Sequence, residues 1–173
     1  MQFFELIEQR RSVRAFIGAP VEAGKLDAIL AAARLAPSAG DLLAYLIAVI
    51  NDAASKRALA TAALGQDFIG KAAVVLIFCA SPRRSESKYG QRGAALYCIQ
   101  DATIAACYAQ LAAAAQGLAS CWVGAFDEAR VKAALRIPPQ LRPILLLPIG
   151  YAAEAPERPP RRPIEALVHR GSW

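Results

Sequence analysis

The stretch "AALYCIQDATIAACYAQLAAAAQG", residues 94 to 117, limits the folds open to this chain more than any other segment. At 1.5 Å of rise per residue it predicts a helix about 36 Å long, enough to cross a small domain. It is alanine-rich on nearly every face, and a helix without a polar stripe has no side to give to water. Such a helix is expected to be buried all round, packed at close range by neighbouring elements or by a second subunit.

The rest of the chain supplies neighbours. "YLIAVI" (45 to 50), "AAVVLIFCA" (72 to 80) and "PILLLPIGY" (143 to 151) are short apolar runs that read as buried strands. Helices are expected over residues 2 to 9, where Phe3 pairs with Leu6 or Ile7, and over "AGKLDAILAAARLAP", which stops at Pro37 because the residue before a proline is pushed out of the helical region. "AASKRALATAAL" and, behind an Asp127 N-cap, "DEARVKAAL" complete the helices. "SPRRSESKYGQRG", residues 81 to 93, reads as a polar loop, "SCWVGAF" as a strand or extended edge, and residues 152 to 163 as a Pro-rich extended tail. The 173 residues fit a single domain spanning 1 to 173, without internal repeats.

With 56% hydrophobic and 20% charged residues the chain has ample core-forming material, which argues against disorder. A net charge of +6 opens three classes of partner: nucleic acid, an anionic membrane surface, or an anionic small ligand. The cations cluster at residues 10 to 14 and in "PERPPRRP" (156 to 163), and no basic run is interleaved with aromatics, so nucleic acid is not expected. The acidic, arginine-ended start has the wrong polarity for a secretory signal, and no window approaches ~18 uninterrupted apolar residues, so a cytoplasmic protein without membrane attachment is expected. Cys79, Cys98, Cys107 and Cys121 form no CxxC pair, and with His169 as the only histidine they are read as buried, reduced thiols rather than zinc ligands. No glycine-rich phosphate loop is present.

Three stretches carry chemistry. In "QRRSVRAF", Arg10, Ser12 and Arg14 alternate along an extended segment and aim donors at one side, and the later "PRRP" offers further guanidinium groups that one phosphate monoester can engage. Arginines after a helix also suit its dipole without any ligand. "APSAGD", residues 36 to 41, is either a plain turn or a set of small side chains over which a flat ligand approaches the backbone, with Ser38 and Asp41 as polar contacts. "GLASCWVGAF", residues 117 to 126, is either core strand and turn, or a place where a backbone N–H before a helix points at an electron-rich ligand atom.

In that order, "RRSVRAF", "AARLAPSAGDLLAY", "GQDF", "GLASCWVGAF" and "LPIGYAAEAPERPPRRP" resemble the nitroreductase-like flavoproteins over nearly the whole chain. With "YGQRGAALYCIQDA" at residues 89 to 102, the chain is most similar to the short members of that family. The resemblance implies an α+β three-layer sandwich, a small mostly antiparallel sheet wrapped by helices, in a homodimer holding FMN at each subunit interface. By matching motif positions it assigns Arg10, Arg11, Ser12 and Arg14 to the FMN phosphate and ribityl chain, joined by Arg161, or by Arg162 if the alignment slips by one. Pro37, Ser38 and Ala39 would reach the isoalloxazine from the partner subunit, with Asp41 in the same turn. Gln66, with Phe68 close by, would face the pyrimidine edge, and Trp122, Val123, Gly124 and Ala125 would line the ring near N5.

The activity so implied is NADH- or NADPH-dependent, FMN-mediated reduction of a small electron-poor aromatic such as a nitroaromatic or quinone, by ping-pong hydride transfer. The flavin supplies the chemistry, so no side chain is expected to act as catalytic nucleophile or base, and the Ala125 N–H adjusts N5. Asp41 and Leu43 stand where the short members commonly have Asn and Gln, and a carboxylate there opposes negative charge on the ring. The alternatives are a noncatalytic basic binding protein on the same fold, or another two-electron flavin reaction such as dehalogenation or flavin destruction.

Overall fold

Residues 74 to 80 of the strand run are buried without exception, and the side chains alternate between two different cores. The structure, a computed structural model, describes residues 2–172. In chain order it runs α1 (Phe3–Gln9), β1 (Phe16–Ile17), α2 (Ala23–Arg34), β2 (Tyr45–Ile50), α3 (Ala53–Ala62), α4 (Phe68–Lys71), β3 (Val74–Ala80), α5 (Pro82–Arg92), α6 (Cys98–Ala115), β4 (Ala119–Ser120), α7 (Glu128–Leu135) and β5 (Arg142–Ala152). The strands form one sheet in the order β1-β5-β3-β2, with β4 also on β5, and every pair is antiparallel.

Because successive strand side chains point to opposite faces, a strand covered on both sides is apolar at every position. Val74, Leu76 and Phe78 of β3 face one layer with Leu145, Leu147 and Ile149 of β5, and this layer takes in Ile29 and Ala33 of α2 and the inner side of α6. Val75, Ile77 and Cys79 face the other with Leu146, against Leu59 of α3, Ile69 of α4 and Val131 of α7. Two helical layers around a sheet are the expected α+β three-layer sandwich. Each fully buried Leu, Ile or Phe contributes about 1.5–3 kcal/mol, so the central strands hold the layers together.

Three expectations need correction. Strand β2, expected to be buried, is an edge of the sheet: none of its residues is fully buried, and Leu46 and Val49 are exposed. The 81 to 93 segment is a helix, not a loop: Pro82 sits at the start of α5, where its missing N–H costs nothing. Its buried contact is small, Ser85 against Gly93, whose hypothetical Cβ would meet the Ser85 carbonyl, so no apolar stripe announces it. Gly90 at φ +57° then turns the chain through a π-helical turn, Gly93–Tyr97, into α6. Within one chain helix α6 is covered on one side, so burial all round calls for the second subunit that the expectation allowed. Ala102, Ala105, Ala106, Ala109 and Ala113 lie against the sheet layer, while Cys107 and Tyr108 are exposed on the opposite side. Alanine tolerates either environment, so its abundance does not say which faces are covered. For the same reason Cys107 is not a buried thiol, unlike Cys79, Cys98 and Cys121.

Candidate functional site: an arginine-lined cleft beside the sheet edge

Helix α1 ends at Arg10, and the chain leaves it extended, with Val13 turned into the core and its N–H bonded to the Ser120 carbonyl at 3.0 Å. Arg10, Arg11, Ser12 and Arg14 are thereby left on a cleft of about 470 Å³. Its other wall is the Pro-rich tail, through Pro156, Arg158, Pro159 and Arg161. Five guanidinium groups meet one carboxylate there, Glu157, with Ile7 and Leu111 as apolar walls. Arg162 points elsewhere and donates to the Ala166 carbonyl at 3.0 Å, so Arg161 is the arginine of the tail that joins the first segment.

The two segments meet because β1 pairs with the end of β5, Phe16 opposite Ala152 and Ile17 opposite Tyr151. Past the strands, the Ala153 N–H donates to the Ala15 carbonyl at 2.9 Å. The Glu154 carboxylate accepts from the backbone N–H groups of Arg14 (2.5 Å) and Ala15 (3.1 Å). Arg11 donates from Nη1 to the carbonyls of Glu8 and Arg10, so the helix-end role applies to that arginine even as it lines the cleft. The guanidinium groups of Arg10 and Arg14 have no hydrogen bond or ion pair among the described residues. Their field extends to Cys121, whose thiol is pushed up by burial while Arg14 and Arg10 pull it down.

Ser12 bridges to Ser120, two residues ahead of the segment Trp122–Ala125. Val123 is buried and exchanges two 3.0 Å hydrogen bonds with Leu146, whereas Trp122, Gly124 and Ala125 are exposed. Asp127 caps α7 by accepting from the Arg130 N–H at 3.0 Å. The Ala125 N–H has no partner among the described residues, and the Ala125 carbonyl accepts from Gln66 Nε2 at 3.0 Å. Gln66 also donates to the Ala63 carbonyl at 2.9 Å, which spends both amide hydrogens and leaves its Oε1 as an acceptor. Phe68 packs in the second core layer behind this pair.

Pro37, Ser38 and Ala39 do not join these groups within one chain. They line a separate cavity of about 540 Å³ together with Tyr97, Ile99, Gln100, Asp101, Thr103 and Ile104. The turn is strained: Gly40, Asp41 and Leu43 take φ of +57°, +57° and +46°, a region costly for a residue such as leucine. It is held by side chains. The Ser38 hydroxyl accepts from the Leu43 N–H at 3.0 Å, and the Asp101 carboxylate accepts from Ala39 (2.9 Å) and Ala44 (3.3 Å). Asp41 is exposed.

Glu154, Arg158 and Asp101 are site residues that sequence reasoning did not single out. Asp101 had a signal, since a carboxylate on an otherwise apolar helix needs buried partners. Glu154 had none, because its role depends on the pairing of β1 with β5.

An antiparallel sheet between two helical layers, with an arginine-lined cleft where its edge meets a proline-rich tail, defines an α+β sandwich protein with a concentrated cationic site. The family model "Nitroreductase family" matches residues 7–66 and 55–151, and the chain belongs to that family. It is 33% identical to an NADH dehydrogenase of Thermus thermophilus, over 92% of this chain and 91% of that protein. It is 30% identical to an oxygen-insensitive NADPH nitroreductase of Salmonella typhimurium, over 98% of this chain and 73% of that one. Among solved structures, the NADPH:FMN oxidoreductase of Vibrio harveyi complexed with NAD+ superposes with a TM-score of 0.90 at 26% identity, covering 98% of this chain and 77% of that one.

Proposed function

We propose that the protein is an FMN-dependent NAD(P)H oxidoreductase, working as a cytoplasmic homodimer, that reduces small electron-poor aromatics such as nitroaromatics or quinones. The observation that carries this reading is the convergence of Arg10, Arg11, Arg14, Arg158 and Arg161 on one cleft. That donor set fits a phosphate monoester: guanidinium forks bind its oxygens bidentately, and the Ser12 hydroxyl adds a further donor. The Trp122–Ala125 segment, which follows the Ser12–Ser120 bridge, has N–H groups at Trp122, Gly124 and Ala125 with no partner among the described residues, and Gln66 beside it offers an oriented amide acceptor, which suits the polar edge of a flat heterocycle.

When bound, the flavin supplies two-electron transfer between a nicotinamide and the acceptor. The chain's own residues bind and orient. Arg10, Arg11, Ser12, Arg14 and Arg161 would hold the phosphate end, Gln66 Oε1 would accept from a ring N–H, and the Ala125 N–H would donate to a ring nitrogen. Trp122, Val123 and Gly124 would line the ring beside it. Pro37, Ser38, Ala39 and Asp41 complete the site from the partner subunit. The need for a partner is supported by their separation from the cleft within one chain and by the exposed side of α6 at Cys107 and Tyr108.

The test is anaerobic mixing of FMN-loaded protein with NADH and with NADPH while flavin absorbance is followed. Bleaching by at least one donor is expected. Protein that stays colourless after incubation with FMN and desalting, or that neither donor bleaches, refutes the assignment.

A further inference from the structure

Helix α5 has no part in the reading above, yet it carries four exposed cations, Arg83, Arg84, Lys88 and Arg92, against one carboxylate, Glu86. Two of them are folded down rather than extended into water. Lys88 Nζ lies 5.6 Å from the centre of the Tyr89 ring and donates to the Gly40 carbonyl at 3.4 Å. The Arg92 guanidinium lies 5.5 Å from the centre of the Tyr97 ring and donates from Nε to the Tyr97 hydroxyl at 3.0 Å. The two rings meet edge to face at 5.2 Å. Tyr97 in turn lines the 540 Å³ cavity beside Pro37, Ser38 and Ala39.

Two aromatic rings and two cations thus stand together on the rim of the strained turn. The turn carries one carboxylate, Asp41, and the helix one, Glu86, while Asp101 is buried and engaged with backbone N–H groups. A purine offers a flat face to such rings and to a stacked guanidinium, and a phosphate monoester offers close to two negative charges to the cations. We infer that Lys88, Tyr89, Tyr97 and Arg92 form the subsite for the 2′-phosphorylated adenosine of the nicotinamide donor, which makes NADPH rather than NADH the preferred reductant. The inference rests on the reading that the Pro37–Asp41 turn borders the flavin.

The test titrates FMN-incubated protein with adenosine 2′,5′-bisphosphate and with adenosine 5′-monophosphate by calorimetry. It compares wild type with Lys88→Gln, Arg92→Gln and the charge-keeping Arg92→Lys. Wild type binds the bisphosphate more tightly than the monophosphate. Each Gln variant loses about tenfold in bisphosphate affinity, the low end for a charge-assisted hydrogen bond, while Arg92→Lys recovers part of it. The NADPH-to-NADH ratio of kcat/KM falls by a similar factor in the Gln variants. Equal wild-type affinity for the two nucleotides overturns the inference, and so does bisphosphate binding that the Gln variants leave unchanged. Failure of the protein to retain FMN would sink the flavin reading instead, and the nucleotide titration would still decide the subsite.

Discussion

Replacing Asp101 by asparagine keeps the shape of the side chain and changes only its hydrogen-bonding character. The carboxylate is 2% exposed and accepts from two backbone N–H groups, Ala39 at 2.9 Å and Ala44 at 3.3 Å. An asparagine accepts from one of them and turns an NH2 toward the other, so a donor faces a donor. One charge-assisted hydrogen bond is lost, worth about 1.5–3 kcal/mol, and one N–H is left buried without an acceptor, at about 1–3 kcal/mol. The overlap between these two costs brings the expected loss to about 3 kcal/mol, a large share of a typical stability of about 5–15 kcal/mol. For a chain of this length that lowers the melting temperature by about 6–12 °C. The strained backbone at Gly40, Asp41 and Leu43 is released at the same time, so the turn loosens before the fold does. Calorimetric melting measures the first effect, and hydrogen exchange at the Ala39 and Ala44 amides measures the second. A variant that melts within about 2 °C of wild type, with both amides still protected, refutes the assignment of Asp101 as the clamp of this turn.

Arg14→Ala should weaken FMN binding by about 10–100-fold, the value of one charge-assisted contact, in a flavin fluorescence titration. Its backbone clamp to Glu154 does not use the side chain, so the fold should persist, and Arg162→Ala, outside the cleft, should bind like wild type. Cys79 gives a pH prediction: burial pushes its thiol up to about 11 from about 9, against a small opposing pull from Lys132. The folded-state value is the raised one, so the contribution is fully present below pH about 9 and is lost as pH climbs through about 11; two units correspond to at most about 3 kcal/mol. Urea midpoints of wild type and Cys79→Ala measured across that range should converge as pH rises, and a constant gap between them would show that the thiol does not titrate as described.

The strands were legible as apolar runs: the two longer runs lie within two residues of β3 and β5, which are buried over all or most of their length, while "YLIAVI" coincides with β2 although that edge strand leaves Leu46 and Val49 exposed. Helix α5 was not, since its packing uses Ser85 and Gly93 rather than an apolar stripe, and composition alone reads as solvent. The arginine segments were legible for the opposite reason, because guanidinium groups at that density do not pack into a core. What residue types cannot convey is that the two segments meet. That follows from pairing Phe16 with Ala152 and Ile17 with Tyr151, which carries the tail beside residues 10 to 15 and sets Glu154 against the Arg14 and Ala15 amides. Val13 and Phe16, three residues apart, both face the same core layer, so the chain ahead of β1 is not a strictly alternating strand, and its course is fixed by burial together with the Val13 N–H bond to the Ser120 carbonyl. Burial of Val13 and Phe16 pins this segment at two points and leaves Arg10, Arg11, Ser12 and Arg14 on the cleft. The core and the site are specified by the same segment, so buried apolar residues decide where the charge is presented.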